Sequence, residues 1–290
     1  MTLISRQYHG ADGDKYMTAT TWQKPNALPI LVINLERSVE RREWMQRHLS
    51  ELGLDCRIVD AIDGLEEDLQ RSEYYNDRKI VRTRGRRLLS TEIGCVLSHK
   101  KCYELMMAEH IPEALILEDD VVLSEEFPSL VEEILNSDIP YELLRFVCSV
   151  KALTGKMREV AQIDSCRIGR MRSNPYGAYA YLIKNIGARK MFKALSDIYL
   201  PIDFLMNRPW EMGIDDLICG TKSVWITEEQ DLSTIRAGIT YQPEVNKPWY
   251  FPVTKVADKL VIMFRKNLLY FYRAYRDRKT AIDKKTDEKR

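Results

Sequence analysis

The stretch "LPILVINLERS" limits the fold more than any other part of the chain. Leu28 to Leu35 form a nearly continuous apolar run, the pattern of a strand buried on both faces of a parallel sheet. Ser38 then stands as a helix N-cap. The segment "VERREWMQRHLSELG" sets Trp44, Met45, His48, Leu49 and Leu52 on one stripe, with Gly53 at a left-handed C-cap. A second short strand follows in "DCRIVDAIDG". Strand, amphipathic helix and strand over about 35 residues make a right-handed βαβ unit, the opening of a nucleotide-binding α/β fold.

A second unit lies further along. "STEIGCVLSHKKCYELMMAEHIP" reads as a helix closed by Pro112, and it feeds the run "ALIL", which stops at three acids, Glu118, Asp119 and Asp120. "YELLRFVCSV" and "GAYAYLIKN" read as further strands and "IGARKMFKALSD" as a helix. Leu65 to Leu89 is polar and rich in Arg and Tyr, a long active-site loop or a small helical insertion. The expected division is an N-terminal extension over residues 1–27, an α/β domain over 28–253 and a tail over 254–290.

At 290 residues, 45% hydrophobic and 30% charged, the chain can build a full core, and neither disorder nor a fibrous repeat fits. No signal-type leader and no run of about 18 apolar residues is visible, so the chain is expected to stay in the cytoplasm. The six cysteines form no C-x-x-C pair, which argues against structural zinc or a disulfide framework. Charge is uneven. From Lys255 to Arg290 there are 12 Lys/Arg against 5 Asp/Glu, about +7 on the tail and about −6 on the body.

Burying adjacent ionised carboxylates without a counter-charge costs several kcal/mol. The strand therefore either emerges into solvent at the triplet, as an acidic turn, or binds a divalent cation through hard oxygen ligands. Period-2 geometry puts Glu118 and Asp120 on one face and Asp119 opposite or in the turn. Ligands of open α/β sheets bind at the carboxyl ends of strands, where the triplet falls.

"LVINLERSVERREWM", "DAIDG", "EIGCVLSHKKCYELM", "IPEALILEDDV" and "GAYAYLIKNIGARKM", in this order and spacing, resemble glycosyltransferase family 25. That is the pattern of bacterial lipopolysaccharide and lipooligosaccharide galactosyltransferases and their collagen galactosyltransferase relatives. The likeness runs from about Pro29 to Ile235. It implies a GT-A type, Rossmann-like nucleotide-sugar-binding fold with a mixed central sheet. It places the uridine of a UDP-sugar over Asn34, Leu35, Arg37, Ala61, Asp63 and Gly64, and it puts Ser98 and His99 in the donor pocket. Glu118 or Asp119 would accept from the ribose, and Asp120 would ligate Mn²⁺ or Mg²⁺. As the family is inverting, a carboxylate outside the metal site must be the base; Asp203 of "LPIDFLM" matches the P-x-D motif, with Asp215 and Asp216 as rivals. "NPYGAYAYLI" would lie beside the reacting sugar.

Read from the residues alone, Asn34 and Asp63 also suit turn and cap chemistry. Arg37, Arg41 and Arg42 suit a solvated helix face, with Arg37 the favoured ligand, and His99 suits a satisfied core. Asp215 and Asp216 suit a helix N-cap, and the tyrosines a core strand. The tail segment "TKVADKLVIMFRKNLLYFYRAYRDRK" reads as a basic amphipathic helix, either lying on an anionic membrane or docked on the domain.

The resulting expectation is a metal-dependent inverting transfer of a hexose, with galactose from UDP-galactose the leading donor. The acceptor is a lipopolysaccharide or lipooligosaccharide at the inner face of the cytoplasmic membrane. The runner-up is a non-catalytic nucleotide-sugar-binding protein that scaffolds glycan assembly; a glucosyl or N-acetylhexosaminyl transferase of the same fold is the other alternative. A two-metal phosphoesterase lacks its second ligand cluster, and nucleic acid binding has no basic patch free of large aliphatics.

Overall fold

The computed structural model describes residues 28–66, 68–226 and 247–287, with side chains to Lys279. The expected N-terminal extension and the end of the family resemblance, past residue 226, lie outside the described residues. In chain order the first half holds β1 (Ile30–Asn34), α1 (Val39–Glu51), β2 (Arg57–Asp60), α2 (Asp77–Arg84), α3 (Ser90–Ala108), β3 (Glu113–Glu118), β4 (Val121–Leu123) and α4 (Phe127–Leu135). There follow β5 (Leu143–Val147), α5 (Val150–Thr154), β6 (Met157–Ile163), β7 (Cys166–Met171), β8 (Ala180–Lys184) and α6 (Asn185–Ala194). Last come α7 (Ile202–Met206), α8 (Pro209–Met212), β9 (Asp216–Gly220), β10 (Val224–Ile226) and α9 (Phe251–Asp287).

Eight strands make one mixed sheet in the order β2-β1-β3-β8-β5-β9-β7-β6, and β4 pairs with β10 in a small second sheet. β1 is parallel to both β2 and β3, whereas β8 runs antiparallel to β3 and β5. All five residues of β1 are buried, as a strand covered on both faces requires. Parity sorts them. Leu31, Ile33 and Ile116 join one core with Ile93, Val96 and Met106 of α3 and Met191 of α6. Ile30, Val32, Leu115 and Leu117 join the other with Met45 and Leu49 of α1 and Phe127 and Leu130 of α4. Each such side chain contributes roughly 1.5–3 kcal/mol of burial. Helices therefore cover both faces, and the carboxyl ends of β1, β2 and β3 are left open.

Gly53 takes φ of 70° just past α1, as the C-cap reading requires. The described residues between Leu65 and Leu89 hold a 3₁₀ turn at Leu69–Arg71 and then α2, joined by turns. Asp215 and Asp216 cap no helix, since Asp216 opens β9.

Helix α9 docks on the domain, but inside out. Its inward side is charged: Arg273 pairs with Asp216 at 2.6 Å, Asp277 with Arg170 at 3.0 Å, and Asn267 accepts from Arg172 at 2.7 Å. Val256, Leu260, Val261, Met263, Phe264, Leu268, Phe271 and Tyr272 are exposed. The sequence predicts apolar and basic faces; the covered side instead mixes these polar pairs with Phe251, Ile262, Leu269 and Tyr270. No helix among the described residues is long and apolar enough to cross a membrane.

Candidate functional site

The three acids sit where β3 ends. Glu118 closes the strand in register with Ile33, and the chain turns over Asp119 and Asp120 before entering β4. The turn resolves the parity question, because all three residues line one cleft of about 120 Å³ with Leu35, Ala61, Asp63, Gly64, Ser98 and His99. Asn34 lies beneath rather than within it. Only 1% exposed, it donates to Asp119 Oδ2 at 2.6 Å and to the Ser38 carbonyl at 3.2 Å, and accepts from Arg42 Nε at 2.9 Å. Asn34 therefore orients an acid and is not itself an open ligand.

The arginines divide differently from the sequence reading. Arg37, the favoured ligand, pairs with Asp63 at the rim and holds the Asp63 carboxyl below the usual carboxylate range. Arg41 enters the cleft instead, pairing with Asp119 and reaching Asp120 at 3.5 Å. It is no solvated helix face. Even so, burial pushes the Asp119 carboxyl up against the pull of Arg41, and burial together with the Glu118 charge pushes Asp120 up to about 7. Three buried polar atoms here have no hydrogen-bond partner among the described residues: Asp120 Oδ1, Arg41 Nε and Thr91 Oγ1. Buried groups of this kind are normally satisfied, so the cleft is built for a polar ligand.

The opposite wall is α3 against the loop after β2. A Cβ on Gly94 would stand 2.6 Å from the Ile62 carbonyl oxygen, so only glycine lets helix and loop approach. Ser98 Oγ donates to the Gly94 carbonyl at 2.7 Å and accepts from Ile62 N at 2.8 Å. Its hydroxyl is spent on that junction. His99 is fully buried, with Nε2 3.2 Å from Glu118 Oε1 and Nδ1 2.8 Å from the Tyr181 hydroxyl, which is 2.8 Å from that of Tyr103. An ionised Glu118 only accepts, so the bonds run from Tyr103 through Tyr181 and His99 to Glu118.

Two groups could hold a cation. Cys95, His99 and Glu118 offer ligand atoms within 4.8 Å of one another. Burial and the surrounding acids push the Cys95 thiol well up, however, and His99 directs its proton at Glu118. Asp120 already has a free buried oxygen, and it suits a hard divalent ion better. The expected metal residue thus fits, and the tighter cluster beside it is an arrangement the sequence reading missed.

Asp203 lies in the first turn of α7, half-buried, with Oδ1 accepting from Phe204 N at 2.8 Å. Burial raises its carboxyl, and Glu118 is near enough to raise it further while Arg145 opposes. Its rivals are already engaged. Asp215 pairs with Arg170 at 2.6 Å and Arg276 at 2.8 Å, and Asp216 accepts from Arg273 at 2.6 Å and Asn174 at 2.8 Å. Arg145, fully buried in β5, donates to Asn207 at 2.7 Å and to the Gly177 carbonyl at 3.2 Å, tying the strand to the loop before β8. An arginine inside "LLRFV" was a visible signal of this. Of the tyrosines in "NPYGAYAYLI", Tyr179 and Tyr181 are core residues and Tyr176 is exposed.

The sequence model of glycosyltransferase family 25 (LPS biosynthesis protein) matches residues 27–206. A glycosyltransferase 25 family member of Aedes aegypti is 31% identical over 212 residues, covering 64% of this chain and 32% of that one. Procollagen galactosyltransferase 2 of Mus musculus is 31% identical over 123 residues, 40% of this chain and 20% of that one. The inactive glycosyltransferase 25 family member 3 of Homo sapiens is 27% identical over 235 residues, 67% and 36% respectively. The chain thus spans about a third or less of the length of most of these relatives.

Proposed function

Since the chain belongs to glycosyltransferase family 25, we propose that it transfers a hexose, with galactose from UDP-galactose the leading donor, by an inverting metal-dependent displacement. The observation that carries this reading is the acid cleft with its unpartnered Asp120 Oδ1 and Arg41 Nε at the carboxyl ends of β1 and β3. Leu35, Ala61 and Gly64 offer backbone and apolar surface for the nucleoside, with the Arg37–Asp63 pair at its rim. Glu118, oriented by His99, or Asp119, oriented by Asn34, accepts from the ribose.

Asp120 with Glu118 would hold Mn²⁺ or Mg²⁺. Such an ion supplies neutralisation of the charge that develops on a departing diphosphate. Arg41 adds a fixed positive charge on the same side. Asp203, raised by burial and without a salt bridge among the described residues, takes the proton of the acceptor hydroxyl. A carboxylate across the site from the leaving group is what inversion demands.

The acceptor in this reading is a lipopolysaccharide or lipooligosaccharide, and α9 lays its exposed apolar stripe on the inner face of an anionic cytoplasmic membrane. Similarity to the procollagen galactosyltransferase supports galactose as donor. Similarity to a relative called inactive keeps a non-catalytic nucleotide-sugar binder as the second reading. The division into an extension, a catalytic domain over 28–253 and a tail over 254–290 belongs to the same proposal. The test is thermal shift and turnover with UDP-galactose, UDP-glucose and UDP-N-acetylglucosamine, each with Mn²⁺ and with EDTA. A Mn²⁺-dependent shift and donor turnover with UDP-galactose are expected; a shift without turnover on any acceptor favours the binder.

A further inference from the structure

Between α2, α7, the loop after β7 and α9 lies a second cavity, of about 190 Å³. Its walls are cationic, with Arg84, Arg172, Arg208 and Lys266 among them. The carboxylate that lines it, Asp216, is already taken by Arg273 and Asn174. Among the described residues, Arg84 and Lys266 make no hydrogen bond or ion pair; the Arg84 guanidinium instead lies 4.0 Å over the Phe204 ring. Arg208 is 5% exposed and Arg170 3%, and an Nη2 of each has no hydrogen-bond partner. The Asp258 oxygen nearest Arg208 Nη2 stands at 3.6 Å.

Like charges gathered in a half-buried cavity repel one another and lose hydration. The strain shows on both free cations: burial and Arg208 hold Arg84 below its usual value, and burial with Arg172 and Lys151 does the same to Lys266. Such a cluster is relieved when its counter-charge arrives with a ligand, and arginine forks with open N–H groups match an oxyanion. Arg170 and Arg273 are met by Asp215, Asp277 and Asp216, and Arg208 by Glu211 at 3.0 Å, which leaves Arg84 and Lys266 as the cations with neither an ion pair nor a hydrogen bond among the described residues. Placement names the role. Phe204 follows Asp203, and the exposed Tyr176 ring packs on Phe204 at 4.5 Å, offering a face for a sugar.

We propose that this cavity binds a phosphate group carried by the acceptor, setting the hydroxyl to be glycosylated beside Asp203. The acceptor role rests on the glycosyl-transfer reading; the anion site does not.

The experiment is calorimetric titration of the full chain with inorganic phosphate at constant ionic strength, with chloride and acetate as controls, repeated in saturating UDP and Mn²⁺. Saturable phosphate binding that UDP leaves unchanged is expected. Arg84→Met with Lys266→Met, which keeps the apolar stems, weakens it about tenfold or more and leaves UDP affinity intact, showing that the variant is folded. No saturable binding beyond chloride overturns the site. Competition by UDP overturns its acceptor role by making it a donor diphosphate site, and acetate binding as tight as phosphate overturns the choice of phosphate. Phosphate binding in a chain that binds no UDP-sugar overturns the transfer reading, and with it the acceptor role, while the anion site stands.

Discussion

Residue by residue, the cleft separates groups that react from groups that hold them. Asp203 accepts from the Phe204 backbone N–H and, among the described residues, forms no salt bridge, so Asp203→Asn should keep donor affinity and lower kcat by about 10²-fold or more. Steady-state kinetics with Mn²⁺ decides it; a variant as fast as the parent removes Asp203 as the base. Asp120 carries a different signature. Its carboxyl is held up at about 7, far above its unfolded value, so the folded chain binds that proton more tightly. Protonation therefore favours folding at low pH, and the benefit is lost as pH rises through about 7. In EDTA the melting temperature should fall from pH 5 to pH 8, and Asp120→Asn should flatten that slope. Added Mn²⁺ should raise the parent's melting temperature at pH 8 but not the variant's. The acidic triplet stood out in the sequence because a polar run at the end of an apolar strand violates the local pattern, whereas Asp63 and Gly64 were picked only through the family resemblance. Arg41 was not, since nothing in "ERSVERRE" distinguishes the arginine that reaches Asp119 from the one that reaches Asp63.

Among elements, the first half was legible for a local reason. In β1 and β3 continuous apolar runs match burial on both faces, and in α1 Met45 and Leu49 mark the covered stripe, so short-range spacing carries the information. The β6–β7 hairpin was not read, because β6 is half-exposed, bears a register shift between Glu159 and Ala161 and packs against a helix about 100 residues on. The inside-out docking of α9 was hidden for the same reason. Its inward polar residues find their partners, Asp215, Asp216 and Arg170, only once β7 and β9 are adjacent. The contact between α3 and the β2 loop is the element pairing that shapes the acidic cleft, the proposed donor site. Gly94→Ala puts a methyl 2.6 Å from the Ile62 carbonyl oxygen, where it must push the loop aside at a cost of about 1–3 kcal/mol. UDP affinity should fall further than that stability loss predicts, since Ala61, Asp63 and Gly64 move with the loop. Calorimetric titration beside urea denaturation compares the two; equal losses would make Gly94 a packing residue only.

For the whole molecule, the distribution of charge and apolar surface sets the orientation. The tail is about +7 on a body of about −6, and the helix that carries it spends several arginines on docking while turning Phe264, Leu268, Phe271 and Tyr272 outward. An exposed stripe of this kind with flanking lysines binds an interface through burial of its apolar groups and through attraction to anionic lipid, and only the second part is screened by salt. The chain should therefore float with vesicles containing phosphatidylglycerol, weakly with neutral phosphatidylcholine, and less in about 0.5 M salt, where the Debye length falls well below 10 Å. Phe264→Ser with Leu268→Ser and Phe271→Ser should abolish flotation while leaving the melting temperature within a few degrees, because each of these side chains is more than half exposed. Flotation that survives the triple variant would move the contact elsewhere, and a large drop in melting temperature would mean that the stripe is covered by protein in solution. In the expected case the acceptor-side cavity, which Ile262, Lys266 and Tyr270 of the same helix help to line, is held close to the lipid surface. A membrane-anchored acceptor could then present its phosphate to Arg84 and Lys266 without leaving the bilayer.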